Sequence, residues 1–485
     1  MNKAFIALFF YTVNPSGICM KKLALLFAFA VLLTSCANKS LTRYEELVPT
    51  LQEKGYDATI KKVKDEQEDL YGSNSEFLYY YDLGVLQHYN RNFKESADNF
   101  AKAEKIYDDL YTKSISNEAA AIATNDNVRP YRARPFELLL MYEFQILNYL
   151  AMMDLDGALV EVKRSQIMMT HLYQKDNEKV NDNGLLRYLS ALVYDMDGSQ
   201  DDAAIAYYKT VKAYDEGKLK LPSEVLEFVV ENLRHSDRED DLNEFKDRIP
   251  ESTQKATAIR EQGQEIIVLG YAGHSPILGE QYMAGTFVSG GIVNLTYKDG
   301  ETGKTDNITF PAPPITSGAT GETFHIGFAL PEIRKLKNKV DHFEVSLDNA
   351  PKIKPEKVLA VDSELKQNME DERTTTMTRT AARVVLRTIA AQTAKQAMKT
   401  DNVLLNLATS IGTDVAQSQL EQADLRMGLF LPNSFYMTRI PVAPGAHKVT
   451  VTANSSDGGT VETFSFDNID VKKGKKVFLV IPSIK

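Results

Sequence analysis

Apolar residues recur at spacings of three and four from Leu41 to about Phe245, which is the period of an amphipathic helix. Prolines are few in this stretch, and its helical pattern is interrupted by short polar runs. These runs are Gly72–Asn74, Asn181–Gly184 and Asp197–Gly198. The pattern therefore predicts a helical domain over residues 41–250.

The pattern changes after Glu251, where short runs rich in β-branched and aromatic residues are bounded by Gly, Pro and Asp. The clearest runs are Glu265–Gly270, Ile292–Tyr297, Thr323–Phe328 and His342–Leu347. Strands resume from Ser434 to the end, and we expect them to join the earlier sheet. Helical signals return between Ser363 and Arg426. The prediction is an α+β fold, in which an N-terminal helical array precedes a β-sheet-rich domain over 262–485 with a helical insertion over 363–426.

The first residues follow a third pattern. Leu23–Leu33 is an uninterrupted apolar run of eleven residues that follows Lys21 and Lys22. A stable membrane-spanning helix needs about 20 residues to cross about 30 Å of hydrocarbon, so this run is typical of a signal peptide. We therefore exclude residues 1–35 from the predicted fold. Because Met20 begins a complete signal by itself, we expect translation to start there and not at Met1.

Composition limits the chemistry that the chain can perform. Cys19 and Cys36 are the two cysteines, so the mature protein would hold one of them and could form neither a disulfide nor a cysteine-based zinc site. The net charge of −10 argues against nucleic acid as a partner. Among the seven histidines there is no metal-ligand spacing. The Gly300–Thr305 run fails as a phosphate loop, because Lys298 stands where the first glycine is required. The sequence thus predicts no enzyme, no metal and no cofactor.

The end of the apolar run, Leu33–Cys36, resembles a bacterial lipobox, with the small Ser35 before the cysteine. The resemblance implies that the Cys36 thiol is acylated and that residues 36–40 form a lipidated tether. The alternative is an ordinary signal peptide with an incidental cysteine. Ala37 is not Asp, which in similar lipoproteins favours delivery to the outer membrane, and no acidic run follows Cys36. We therefore expect a lipid-anchored protein of the cell outer membrane that faces the periplasm.

Tyr80–Ala103 resembles a tetratricopeptide repeat (TPR), a pair of antiparallel helices. Gly84 and Ala103 are small enough to let the two helices approach closely. Phe100 would fill the space between them, and Asn90–Asn92 would form the turn.

Two further copies of this repeat are visible, with turns at Asp154–Gly157 and Asp197–Gln200. The equivalent residues Ala97, Ala158 and Ala204 are 61 and 46 residues apart. A regular TPR repeats about every 34 residues, so we expect an irregular TPR-like array.

The longer interruption between repeats contains three arginines interleaved with aromatic residues and two prolines. The candidate partner-binding residues are Arg129, Tyr131, Arg132, Arg134 and Phe136. Such a loop can bind a carboxylate, a sugar or a peptide through its guanidinium groups and rings. The alternative is a structural loop, in which the arginines pair with nearby Glu137 and Glu143 and the aromatic rings fill helix seams.

A second candidate site is the glycine-rich turn Gly270–Pro276, which follows a predicted strand. It would place His274 at the rim of the sheet, with Tyr271 in the same turn. Loops at sheet ends carry function disproportionately, so Tyr271 and His274 are candidate binding residues. The alternative is a structural histidine, because nothing in the sequence supplies a placed partner.

Several motifs occur together in an order that resembles a family of uncharacterised TPR-containing lipoproteins of Gram-negative bacteria. They are Ala158–Glu161 with Arg164, Val268–Pro276, Arg383–Arg387, Ala423–Arg426, Leu431–Pro432 and Pro444–Gly445. The resemblance implies an envelope protein, in some genomes encoded beside an activator lipoprotein of a penicillin-binding protein, and it implies no catalytic residues.

Two functions remain open on this basis. The first is a lipid-anchored cell-envelope scaffold or adaptor, which binds a protein partner in a groove of the TPR-like helices and serves cell-wall or outer-membrane assembly. The second is binding of cell-wall glycan, such as peptidoglycan, or of another carbohydrate, which the abundant tyrosines and the Arg129–Phe136 loop favour.

Overall fold

A computed structural model describes residues 39–114, 129–175, 182–217, 219–288, 292–298, 305–311, 323–397 and 423–485. The predicted signal region 1–35 and the candidate lipidation site Cys36 lie outside these residues. The α+β class is confirmed, since a helical array comes first and three sheets follow.

The helices of the array run in chain order through the first half. They are α1 (Lys39–Asp65), α2 (Gln67–Leu70), α3 (Glu76–Tyr89), α4 (Phe93–Ser114), α5 (Pro135–Ala151), α6 (Leu155–Lys175), α7 (Gly184–Asp197), α8 (Gln200–Glu216), α9 (Ser223–His235), α10 (Glu239–Asn243) and α11 (Gln254–Gln262). Within α1 the helix breaks at Gly55, whose φ of 79° is accessible to glycine without steric conflict.

Three helical hairpins, α3–α4, α5–α6 and α7–α8, occupy the positions of the three predicted repeats. Each hairpin brings a glycine against an aromatic ring of the other helix. A Cβ added to Gly84 would lie 2.7 Å from the ring of Phe100. The equivalent close contacts are Gly157 with Tyr149 and Gly184 with Tyr214. The close approach predicted at Gly84 is therefore confirmed, and two more of the same kind accompany it.

The strands of the described residues form three sheets instead of the single sheet expected. They are β1 (Glu265–His274), β2 (Ile277–Val288), β3 (Ile292–Lys298), β4 (Thr305–Pro311), β5 (Thr323–Arg334), β6 (His342–Leu347), β7 (Glu356–Ala360), β8 (Pro432–Pro441), β9 (Gly445–Asn454), β10 (Thr460–Val471) and β11 (Lys476–Ser483). Sheet 1 has the order β11-β1-β8-β7, sheet 2 the order β10-β9-β6 and sheet 3 the order β4-β3-β2-β5. The last strands do join earlier ones, because β8 and β11 pair with β1, and β9 pairs with β6.

Sheet 1 lies between the helices and sheet 2. Strand β1 is buried along its whole length, with its two faces in different hydrophobic clusters. Ile267 and Leu269 belong to the cluster that contains the helical core, whereas Ile266 and Val268 belong to the cluster shared with sheet 2. The predicted helical and β-rich regions therefore share one continuous core.

The predicted helical insertion differs from expectation at both ends. Helix α12 (Val361–Ala397) begins directly after β7, two residues before the predicted start, and packs against β5, β8 and α5. Ala423–Arg426 form neither helix nor strand, so that part of the prediction is wrong. These residues instead contact the helical array, where the Arg426 backbone carbonyl accepts a hydrogen bond from Arg134. The stretch between, residues 398–422, lies outside the described residues.

Candidate functional site

The Arg129–Phe136 loop is packed into the helical array. Tyr131 and Phe136 are buried, and the Tyr131 hydroxyl donates to the Glu137 carboxylate. The Arg134 guanidinium donates to the Tyr131 hydroxyl over 3.1 Å and lies 3.8 Å from the Glu372 carboxylate. These contacts are of the kind expected from a structural loop.

The two remaining loop residues have different surroundings. The carbonyl of Arg129 accepts a hydrogen bond of 2.8 Å from Arg426, while the Arg132 side chain is exposed. A binding role for this loop stays a prediction, and Arg132 is the side chain that the loop presents most clearly to solvent.

The loop helps to hold a segment that the sequence did not single out as an element. Residues 423–431, here called the strap, have no regular secondary structure and are almost wholly buried. Side chains of the helices bond to the strap backbone. The Gly428 N–H donates to Glu137 over 2.8 Å, and the Leu429 N–H donates to Asp82 over 2.7 Å. Tyr89 donates to the strap as well, at the carbonyl of residue 430 over 3.0 Å.

Asp82 connects the strap to two further parts of the array. Its other carboxylate oxygen accepts from the Tyr71 hydroxyl at 2.9 Å and from Arg43 at 3.2 Å, and all three side chains are buried. Burial raises the pKa of Asp82 to about 6, although Arg43 and the Leu429 N–H favour the ionised form. The strap, a segment of the protein's own chain, thus covers these side chains of the array. The apolar stretch Leu425–Leu431 was the sequence signal that could have indicated it.

Tyr271 lies at the interface between sheet 1 and the helices, where it is fully buried. Its hydroxyl is 2.8 Å from Nε2 of His88, whose Nδ1 is 2.7 Å from Oδ1 of Asn148. Asn148 in turn donates to Ser96 over 2.9 Å. Burial lowers the pKa of His88 to about 4, so the ring is neutral at pH 7. Nδ1–H then donates to Asn148 and Nε2 accepts from Tyr271, because an amide oxygen only accepts. This buried network ties the sheet to the array.

The network makes stability depend on pH in a predictable way. The pKa of His88 is about 4 in the folded protein against 6.5 for the free group, so the unfolded state binds more protons between these values. Protonation should therefore remove up to about 3 kcal/mol of stability as the pH falls through this range. In urea unfolding, the stability advantage of wild type over His88→Gln should shrink from pH 6.5 to pH 4. A constant difference between wild type and His88→Gln over this pH range would contradict the assignment.

His274 is the last residue of β1, at the rim of the sheet as predicted, but it is buried. Its Nδ1 is 2.8 Å from the Ser275 carbonyl, while its Nε2 has no hydrogen-bond partner among the residues that the structure describes. The side chain of Asn338 bonds to the His274 N–H and carbonyl, over 2.8 and 3.0 Å. The Tyr44 ring of α1 meets the His274 ring edge-on at 6.2 Å. The residues that Tyr271 and His274 contact thus differ from those that the Arg129–Phe136 loop contacts.

A cleft of about 450 Å³ opens where the break in α1 meets strands β10 and β11. Aromatic rings of Tyr56, Tyr89 and Phe464 line it together with the polar side chains of Arg91 and Glu462. Arg91 also donates to a backbone carbonyl of β11 over 3.3 Å, which holds it against the sheet. None of the residues that the sequence singled out as binding candidates lines this cleft, since its wall combines distant parts of the chain.

The outer surface of the α5–α6 hairpin exposes large apolar side chains. Met153 is 75% exposed, Ile167 is 70% exposed and Val160 is 49% exposed. Val160 and Ile167 are seven residues apart on α6, so they lie on one face of the helix. Exposed apolar residues that share a face are a feature of interaction surfaces.

The part of the chain that the structure describes contains no group of three His, Cys, Asp or Glu residues that could hold a metal ion. Within the same ranges, none of the helices has the length and apolar character that crossing a membrane requires.

Comparison with protein-family models, with curated proteins and with solved structures finds no match to this chain. The resemblance to TPR-containing envelope lipoproteins therefore stays a prediction.

Proposed function

We propose that this protein is a non-enzymatic, lipid-anchored adaptor of the cell envelope, which binds a protein partner through the outer surface of its helical hairpins. The signal region and the lipobox-like Leu33–Cys36 support the anchor and a position on the periplasmic face of the outer membrane. The observation that carries the adaptor role is the pair of exposed apolar side chains on one face of α6, Val160 and Ile167, with Met153 in the turn before it.

The strap limits which surface of the array a partner can contact. It occupies backbone-binding side chains of α1, α3 and α5, namely Arg43, Asp82 and Glu137. A partner that bound these side chains would have to displace the buried strap, whereas contact with Val160 and Ile167 needs no rearrangement. A partner with an apolar pocket would gain about 25 cal/mol for each Å² of apolar surface that it covers.

Photo-crosslinking in cells tests this proposal. A photoreactive phenylalanine analogue at position 160 or 167 should give the same crosslinked protein, whereas the analogue at the exposed Lys105 of α4 should not. In addition, Val160→Glu with Ile167→Glu should abolish partner capture at an unchanged melting temperature, because both side chains are exposed. Equal crosslinking from position 105, or capture that survives the double substitution, would refute the proposed surface.

The cleft favours a second function, binding of a glycan such as peptidoglycan. A sugar ring has apolar faces that pack on aromatic side chains, and hydroxyls that pair with polar groups such as Arg91 and Glu462. Sedimentation with purified peptidoglycan tests it, with Tyr56→Ala as the cleft variant and the exposed Glu53→Ala, in the same helix, as control. Loss of binding in Tyr56→Ala alone, at an unchanged melting temperature, would support glycan binding in the cleft. A wild type that stays in the supernatant would exclude it.

A further inference from the structure

An exposed run of four cations without an acid lies at the end of β5 in this acidic chain. Arg334, Lys335, Lys337 and Lys339 fall within six residues, and all four side chains are exposed. We call this segment, residues 334–339, the basic run. It begins at the end of β5 and passes the end of the chain, where the Lys339 N–H donates to the carbonyl of Lys485 over 2.8 Å.

The basic run lies beside the start of α1. Asn338, inside the run, bonds to the His274 backbone through both ends of its side-chain amide. The His274 ring in turn contacts Tyr44, in the second turn of α1. This end of α1 is held in place, because the neighbouring Arg43 pairs with Asp82 at 3.2 Å.

The position of α1 limits where the tether can lead. Cys36 precedes the first residue of α1, Lys39, by three residues, which span at most about 11 Å even when fully extended. From Lys39 to Tyr44 a helix rises about 8 Å. An acyl chain on Cys36 would therefore enter the membrane within about 20 Å of the Tyr44 backbone, on the side of the molecule that carries the basic run.

We infer that the basic run rests on the anionic phospholipid headgroups of the membrane that holds the anchor, and so sets the orientation of the protein on that surface. The inference rests on the proposed acylation of Cys36. Charge complementarity supports the inference, because a juxtamembrane cluster of Lys and Arg is attracted to an anionic leaflet over about one Debye length.

The acids that flank the basic run in the sequence are fewer than its cations. Glu332 precedes it and lies 3.6 Å from Arg334, and Asp341 follows it and lies 3.0 Å from the His342 ring. Four cations thus stand against two acids in this part of the chain. The segment is positive within a chain whose net charge is −10, so it can attract an anionic surface locally.

Protection of lysines from acetylation tests the inference on the intact lipoprotein. The full chain is expressed in a Gram-negative host, purified in detergent and reconstituted into vesicles of phosphatidylethanolamine with either phosphatidylglycerol or phosphatidylcholine. In the phosphatidylglycerol vesicles, Lys337 and Lys339 should react at least about threefold more slowly than in the neutral ones, and high salt should remove the difference. The exposed Lys105 of α4 and Lys209 of α8 serve as controls and should react equally in both.

Two substitutions and one further readout make the outcomes distinct. Arg334→Glu with Lys335→Glu should restore the neutral-vesicle rate at Lys337, and melting temperature shows whether the variant is folded. Equal acetylation rates in the two kinds of vesicle would overturn the inference, because protection would then be absent or independent of the lipid charge. The mass of the N-terminal peptide in the same digest reports acylation of Cys36, so an unmodified peptide overturns the proposed anchor together with the inference. Protection that appears only with added envelope proteins also overturns it, since the surface would then bind protein.

Discussion

Replacement of Glu265 by Leu should lower the free energy of unfolding by about 3–5 kcal/mol, because it leaves a buried guanidinium without its counter-ion. Arg439 is 1% exposed and Glu265 is 0% exposed. Two hydrogen bonds of 2.7 and 2.8 Å join them across neighbouring strands β8 and β1. The Arg439 guanidinium also lies 3.7 Å from the centre of the Phe228 ring, which offers it no anionic substitute.

The matched control for this prediction removes both charges. Glu265→Leu with Arg439→Met should recover most of the lost stability, because breaking a buried pair costs more than replacing it with apolar residues of similar size. Urea unfolding of the two single variants and the double variant measures the coupling. Additive losses would contradict a direct interaction between the two side chains.

The same pair should stabilise the protein in acid. Burial alone would raise the pKa of Glu265, but Arg439 and Lys476 outweigh it and hold the pKa at about 2. Because the folded value lies below the unfolded one, near 4.5, the contribution is complete above pH 4.5 and is lost as the pH falls towards 2.

Asp82→Ala should release the strap and lower the free energy of unfolding by about 3–5 kcal/mol. The substitution deprives the buried Arg43 guanidinium, the Tyr71 hydroxyl and the Leu429 N–H of their common acceptor. Limited digestion with trypsin gives a specific readout, since Arg426 lies inside the strap and is buried in the wild type. We expect cleavage after Arg426 to appear in the variant well below its unfolding temperature.

A substitution of an exposed carboxylate separates this effect from loss of charge in general. Glu53→Ala on α1 should leave both stability and the digestion pattern unchanged, because the Glu53 side chain is exposed. If Asp82→Ala keeps Arg426 protected while it destabilises the protein, then Asp82 supports the helices and not the strap.

These predictions concern residues whose roles the sequence did not indicate. Asp82 and Leu429 are 347 residues apart, Glu137 and Gly428 are 291 apart, and His88 and Tyr271 are 183 apart. No local periodicity relates such positions, so a sequence pattern does not reveal that the members of each pair are in contact. These pairs come into contact only when the strap and sheet 1 pack against the array.

Local physics was enough for much of the fold. The helical hairpins and their turns follow from apolar spacing and polar breaks, and the contact of Gly84 with Phe100 follows from residue size across one short turn. Strands β1, β6 and β9 were predictable because β-branched and aromatic runs favour extended backbone whatever their partners. The division into three sheets was not, since it depends on which strands pair.

The candidate sites divide in the same way. The signal-like pattern of the first residues and the chemistry available at Arg129–Phe136 follow from the sequence alone, because both depend on residue types in short stretches. Which candidates are buried, and which apolar side chains are exposed, depends on the tertiary packing. The buried ones are Tyr131, Phe136, Tyr271 and His274, and the exposed ones are Met153, Val160 and Ile167. The tertiary structure alone placed the basic run beside α1. Burial and proximity depend on packing between distant segments. A sequence pattern therefore predicts them only for short elements that are adjacent in the chain.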